Sequence, residues 1–268
     1  MRLRDLFSVG FAYYLLLALF LYLPIGLLIL FSFNNSVILV FPLKGFTLQW
    51  YSELLQAEEL LRSVYNSVLV GLGSSLAATA LGTMAAIGIT RFDFPGRGFF
   101  LAISSMPLVI PYVVLGVALL ILFDQLGFEL SLLTVGIGHA VVNIPYVMLI
   151  VAARLAGFEA NLEEAAMDLG ATYLGTLMRV TLPISLPALV AAFLSSFTTS
   201  FDEFALTFFL TGTDNTLPIY LYSQLRFPSR LPLVVTLAAV VMVFSVVIVV
   251  FSEWLRRVGQ PAARRVEA

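Results

Sequence analysis

Six stretches of the chain, Phe11–Phe31, Val64–Thr90, Phe99–Phe123, Leu132–Ala153, Pro187–Leu210 and Leu233–Leu255, are apolar and long enough to cross about 30 Å of hydrocarbon. Backbone N–H and C=O groups have no water to pair with there, so unbroken apolar runs of this length select helices that satisfy their own hydrogen bonds. The expected fold is all-α and polytopic, with six transmembrane helices. A soluble domain carries about a quarter charged residues; here 11% are charged and 60% are hydrophobic. The first run is not read as a cleaved leader. Its apolar stretch is long, no small-x-small site follows, and it continues into Phe31-Ser32-Phe33.

Lys and Arg set the orientation. The two termini and the loops at 90–98 and 154–186 hold Arg2, Arg4, Arg91, Arg97, Arg154, Arg179, Arg256, Arg257, Arg264 and Arg265. The opposite side holds Lys44, Arg62, Arg226 and Arg230. Ten against four places both termini and the 154–186 loop in the cytoplasm. The chain divides into a first span with an outer segment (1–63), a helical core (64–255) and a short basic tail (256–268). Within the outer segment, Gln49–Leu61 has amphipathic spacing, and Trp50 and Tyr51 suit a membrane interface.

Asn161–Pro187 is the longest polar interruption between two apolar runs. Asn161 is placed to N-cap a helix, and Glu164 to complete a capping-box-like start. Leu162, Ala165, Ala166 and Leu169 share a face, and Gly170 supplies a stop. Thr172 is placed to cap a second short helix, which Pro183 and Pro187 are expected to close. A helix of about ten residues is marginal alone and needs a surface to dock on. Glu159, Glu163, Glu164 and Asp168 lie here, with no basic residue between Arg154 and Arg179. That charge is wrong for lipid headgroups and right for another protein.

This stretch resembles the signature loop of permease subunits from binding-protein-dependent ABC importers: Glu-Ala-Ala, three residues, Gly, nine to twelve more, then Pro. Here these are Glu164-Ala165-Ala166, Gly170-Ala171 and Thr181-Leu182-Pro183. Leu177 stands where the family often has an aromatic residue, a change expected to alter packing and not role. The resemblance covers roughly Val64–Glu253. It implies a type I ABC importer permease in a bacterial cytoplasmic membrane, its cytoplasmic loop acting as a coupling helix in a cleft of a separate ATPase. Glu163, Glu164, Ala165, Ala166, Asp168, Leu169, Gly170, Ala171 and Pro183 become the coupling residues. The implied partners are that ATPase, which holds ATP and Mg, a second identical or homologous permease subunit, and a periplasmic or surface substrate-binding protein.

The residues agree with a chain that does no covalent chemistry. It has no Cys and a single His, His139, so no thiolate or His-based metal site is available. No Gly-x-x-x-x-Gly-Lys-Ser/Thr occurs, and Lys44 is the only lysine. If ATP drives the machine, another chain binds it. A net charge of −2 gives no footprint for nucleic acid. The short loop Arg91–Gly98 is basic, a topology signal first and a second cytoplasmic contact at most.

Polar residues inside the spans mark candidate path positions. Pro107, Pro111 and Pro145 accompany Ser104, Ser105, His139 and Asn143 in the third and fourth spans, as bendable, bundle-facing helices require. The fifth span holds Ser195, Ser196, Thr198, Thr199 and Ser200, then Asp202 and Glu203. Acidic groups at such depth face a cavity or a partner. Adjacent helical positions diverge by about 100°, so the two acids cannot both face one pore. Asp202, Glu203, Thr199, Ser196, Tyr112 and Asn143 are the candidate substrate-path residues, and a carboxylate there favours a cationic solute. A purely structural pairing of either acid with Arg226 or Arg230 stays open. Ser200–Leu225 also resembles permeases of spermidine/putrescine importers, where Phe-Asp-Asp/Glu, Thr-Gly and Leu-Pro recur. The alternative is an ion-coupled secondary carrier using Asp202, Glu203 and His139.

Overall fold

The computed structural model describes residues 9–157 and 161–258. Among them there is no β-strand, only an isolated bridge between Asn34 and Phe46. Five helices are long and apolar enough to cross a membrane, or six if the helix pair bent by 103° counts as one span. The described residues fall into two compact units, one drawn from 1–61 with 221–244 and the other from 62–220 with 245–268.

The first unit contains α1 (Val9–Phe31), α2 (Gln49–Gln56), the end of α11 (Leu217–Gln224) and the first half of α12 (Leu231–Val258). Buried Asn34 organises its outer segment. Its side-chain oxygen accepts from the Lys44 N–H at 3.1 Å, and its carbonyl accepts the Trp50 indole N–H at 2.9 Å. Tyr51 shares a 2.7 Å hydrogen bond with Ser32, and Thr236 donates to the Ser32 carbonyl. Each of these amphipathic rings thus has its polar atom satisfied within the outer segment. The amphipathic stretch Gln49–Leu61 is not one helix: it breaks at Ala57, and α3 (Glu58–Arg91) begins earlier than the apolar run alone suggests.

The second unit is built on α3 (Glu58–Arg91), α6 (Leu132–Ala156) and α9 (Leu182–Phe201). Ala78, Ala86 and Ile89 of α3 pack with Val147, Met148, Val151 and Leu155 of α6 and Ala192 of α9. Small residues let the backbones meet, since lipid supplies no hydrophobic drive between helices. At Gly82 a Cβ would fall 2.8 Å from the Ile144 carbonyl oxygen. A second cluster joins Val70, Phe123, Val135, Val142, Leu206 and Leu210.

Two expected spans are corrected. The third is broken into α4 (Arg97–Ser105), a 3₁₀ turn at Met106–Leu108, and α5 (Tyr112–Gln125). Pro107 and Pro111 each lack an N–H, and the residue before Pro111 is pushed from the helical region. Pro145, alone and buried in α6, leaves that helix continuous. The fifth span starts earlier and ends earlier than expected. From α8 (Tyr173–Thr176) a π turn at Leu177–Thr181 leads straight into α9, so Pro183 and Pro187 sit inside one helical run instead of closing a short one. The wider π turn absorbs the missing donor of Pro183. Beyond Phe201 the chain breaks and restarts as α10 (Thr207–Leu210).

Candidate functional site

The loop after α6 forms α7 (Asn161–Asp168), so Asn161 is already helical, and any cap lies at 158–160, outside the described residues. The stop is as expected. Gly170 adopts φ +89°, its N–H bonds the Met167 carbonyl, and the Ala171 N–H bonds the Ala166 carbonyl. Those two bonds make a Schellman motif, which needs the left-handed residue that glycine supplies at little cost. Thr172 then caps α8 by accepting the Gly175 N–H at 3.1 Å.

Two faces of α7 have different fates. Leu162, Glu164, Ala165, Asp168 and Leu169 are exposed, and Leu169 is 90% so. Glu163 turns the other way and is 8% exposed. It pairs with Arg91 at the end of α3, with contacts of 2.8 and 3.2 Å, and accepts the Thr181 hydroxyl at 2.8 Å. Arg91 also donates to the Leu155 carbonyl in the last turn of α6. One carboxylate–guanidinium pair therefore ties the loop to the ends of α3 and α6 and the approach to α9. Arg154 adds a bond to the Ile184 carbonyl of α9 at 2.9 Å. Nothing in the spacing of the acidic residues singles out Arg91 as the partner; its loop reads as a topology signal and, at most, a second cytoplasmic contact.

The far end of α3 carries a second pair, Arg62 with Asp214 at 2.6 Å. A helix rises about 1.5 Å per residue, so the two arginines stand about 44 Å apart, the thickness of a bilayer with its headgroups. Asn66 donates to the Asn215 carbonyl, and Ser67 accepts the Leu217 N–H. The 211–217 turn is thus held to α3 as the loop is at the other end.

Between these ends lies a buried polar chain. Ser74 of α3 and Ser200 of α9 are 3.0 Å apart; Ser200 is 2.5 Å from His139 Nδ1; His139 Nε2 is 2.8 Å from Thr207. Thr207 Oγ1 is 2.9 Å from Glu203 Oε2, which lies 3.3 Å from His139 Nε2. The Glu203 carboxylate also accepts the N–H groups of Leu206 and Thr207, at 2.7 and 2.8 Å. His139 is a bundle hydrogen-bonder, as expected.

The two adjacent acids part company because α9 ends between them and their neighbours, not by helical rotation alone. Asp202 is exposed and accepts from Ser245 of α12 at 2.9 Å, while Glu203 is buried. Arg230 bonds Gln224 within the first unit. Of the other path candidates, Thr199 is exposed one turn before Asp202, and its hydroxyl bonds the Ser195 carbonyl. Tyr112 opens α5 and is half-buried. Ser196 and Asn143 are buried, the Ser196 hydroxyl and the Asn143 amide nitrogen both without a hydrogen-bond partner. The structure does not gather all six at one surface. Among the described residues no group of acidic or His side chains is arranged to hold a metal.

Residues 78–258 match the family model described as "binding-protein-dependent transport system inner membrane component". The chain is 34% identical over 239 residues to the spermidine/putrescine transport system permease protein PotC of Escherichia coli (strain K12), covering 89% of this chain and 90% of that protein. It is 35% identical over 215 residues to the putrescine transport system permease protein PotI of the same strain, covering 77% and 76%. Among solved structures it resembles a chain of a bacterial ABC transporter involved in import of the acidic polysaccharide alginate. The TM-score there is 0.69 at 19% identity, over 94% of this chain and 96% of that one. The MetNI methionine ABC transporter aligns at a TM-score of 0.63 and 19% identity, over 75% and 96%. At these identities the structures speak to the fold.

Proposed function

Since this chain belongs to the binding-protein-dependent transport system inner membrane components, and is a membrane-spanning permease subunit of an importer, we propose that its cargo is a polyamine of the spermidine and putrescine class. The observation that carries the cargo is the identity to two polyamine permeases across most of the chain. Exposed Asp202 supports it, because a carboxylate at the C-terminal end of α9 attracts a cation and repels an anion. The ion-coupled carrier reading gives way to the family assignment.

The remaining assembly follows from the family and the loop. A separate ATPase, holding ATP and Mg, docks on the outward face of α7, on Glu164, Ala165, Asp168, Leu169 and the Gly170–Ala171 turn. Glu163 serves the same coupling from the other side, by anchoring the loop to the bundle. The side bearing that loop is cytoplasmic, in a bacterial cytoplasmic membrane. A second permease subunit completes the path, and a substrate-binding protein delivers solute at the face marked by Asp214. When the ATPases close, α7 moves, and the Arg91–Glu163 pair carries that movement into α3, α6 and α9.

The test is uptake of labelled spermidine and putrescine by a polyamine-uptake-deficient bacterium expressing the chain with its ATPase, second permease subunit and binding protein. ATP-dependent accumulation of either supports the cargo. An assembled complex that hydrolyses ATP yet accumulates neither rejects it.

A further inference from the structure

Hydrogen-bond bookkeeping separates the two neighbouring acids by role. Glu203 takes four donors or near-donors within its own unit: the N–H groups of Leu206 and Thr207, the Thr207 hydroxyl, and His139 at 3.3 Å. A bare His139 Nε2 would face two acceptors, the Glu203 carboxylate and a Thr207 hydroxyl whose single proton would be drawn from Glu203. The network therefore assigns a proton to Nε2. With the proton on Nε2, Nδ1 accepts from Ser200, whose oxygen shares a hydrogen bond with Ser74; the Ser74 hydroxyl also reaches the Gly71 carbonyl at 3.3 Å. The chain runs from α3 through α9 and α6 to one terminal acceptor, Glu203. Three of the Glu203 contacts fall on Oε2 and one on Oε1, and the carboxylate is buried, so it is held in the network and not presented to a passing solute.

We infer that Glu203 is a positioning residue: with His139, Thr207, Ser200 and Ser74 it locks the break between α9 and α10, and so aims Asp202, the one acid of the pair left to meet a cationic cargo. The cargo clause rests on the proposed function; the locking does not. Charge enters the path at Asp202 and is spent on backbone geometry at Glu203. The same division explains why α9 stops at Phe201: the 202–206 turn is organised by Glu203 accepting the N–H groups of the turn that follows it.

The experiment uses the absence of native cysteine in this chain. Asp202→Cys is introduced into the assembled complex in membranes, and its reaction rate is measured with a cationic and an anionic methanethiosulfonate of similar size. Glu203→Gln, Thr207→Val and Thr207→Ser are then added one at a time. The expected result is that Glu203→Gln and Thr207→Val each change both rates by a common factor of about five, the Boltzmann weight of one lost hydrogen bond. The cation-to-anion ratio stays constant, and Thr207→Ser restores the parent rates. A fall of about tenfold in that ratio for Glu203→Gln alone would place a free charge on the path and overturn the assignment. Unchanged rates in Thr207→Val would overturn the locking, and no reaction in the parent would overturn the aim of Asp202. If Glu203→Gln fails to assemble, the Thr207→Val and Thr207→Ser pair decides. No step measures polyamine uptake, so a wrong cargo leaves this result readable.

Discussion

Truncating Glu163 to Ala should loosen the coupling loop from the bundle without touching the loop's outer face. The Glu163 and Arg91 side chains are 11% and 16% exposed, so the pair is shielded from water but open at its rim. Removing one partner of a fully buried pair costs about 3–5 kcal/mol. A rim that lets Arg91 reach water, together with its remaining bond to the Leu155 carbonyl, puts the loss here near the lower limit, about 3 kcal/mol. Arg91→Met should cost a similar amount. The double variant should cost little more than either alone, a coupling of about 2 kcal/mol, since each single change already removes the same pair. The assay is the thermal midpoint of the detergent-solubilised complex for all four proteins, with transport per ATP hydrolysed measured in proteoliposomes. We expect the single variants to keep ATPase activity while transport per ATP falls. Additive midpoints, or an unchanged transport ratio, would refute the claim that this pair carries movement from loop to bundle.

Four further outcomes test other parts of the reading. Arg62→Ala should shift the midpoint little, about 0–1 kcal/mol, because its pair with Asp214 is 73% and 40% exposed; a loss equal to that of Glu163→Ala would undercut the burial reasoning. Glu164→Arg and Gly170→Arg should insert normally yet fail to retain the ATPase on co-purification, the first by reversing a charge on the exposed face of α7 and the second by forcing φ +89° on a bulky residue. Gly82→Ala should cost about 1–3 kcal/mol and lower the yield of folded permease, since its Cβ meets the Ile144 carbonyl and Val147. Asp202→Asn should reduce polyamine uptake about tenfold while leaving ATPase retention intact; full uptake would remove Asp202 from the path.

Much of this was legible in the chain because the signals were local. Four of the six apolar runs, the first, second, fourth and sixth, correspond to continuous helices, since a lone segment in hydrocarbon satisfies its own backbone only as a helix. Gly170 announced the end of α7 because a single left-handed position is written in a single residue type. The partner of Glu163 was not legible: Arg91 lies on another helix, and a charge used to set topology gives no sign that it also closes an ion pair in the fold.

Prolines show where local rules stop. Pro107 and Pro111 break the third span, yet Pro145, Pro183 and Pro187 lie within helical runs. The difference is in what surrounds each missing N–H. Spacing is not the difference, because Pro183 and Pro187 are also four residues apart; Pro183 falls in the first residues of α9, where a missing N–H costs least. Pro183 follows a π turn, and Pro145 is buried against neighbouring helices that hold the backbone in place. Asp202 and Glu203 carry the same lesson. Helical spacing alone required that they diverge, but only the break after Phe201, with His139 and Thr207 waiting beside it, decides which acid is buried and which is left at the surface.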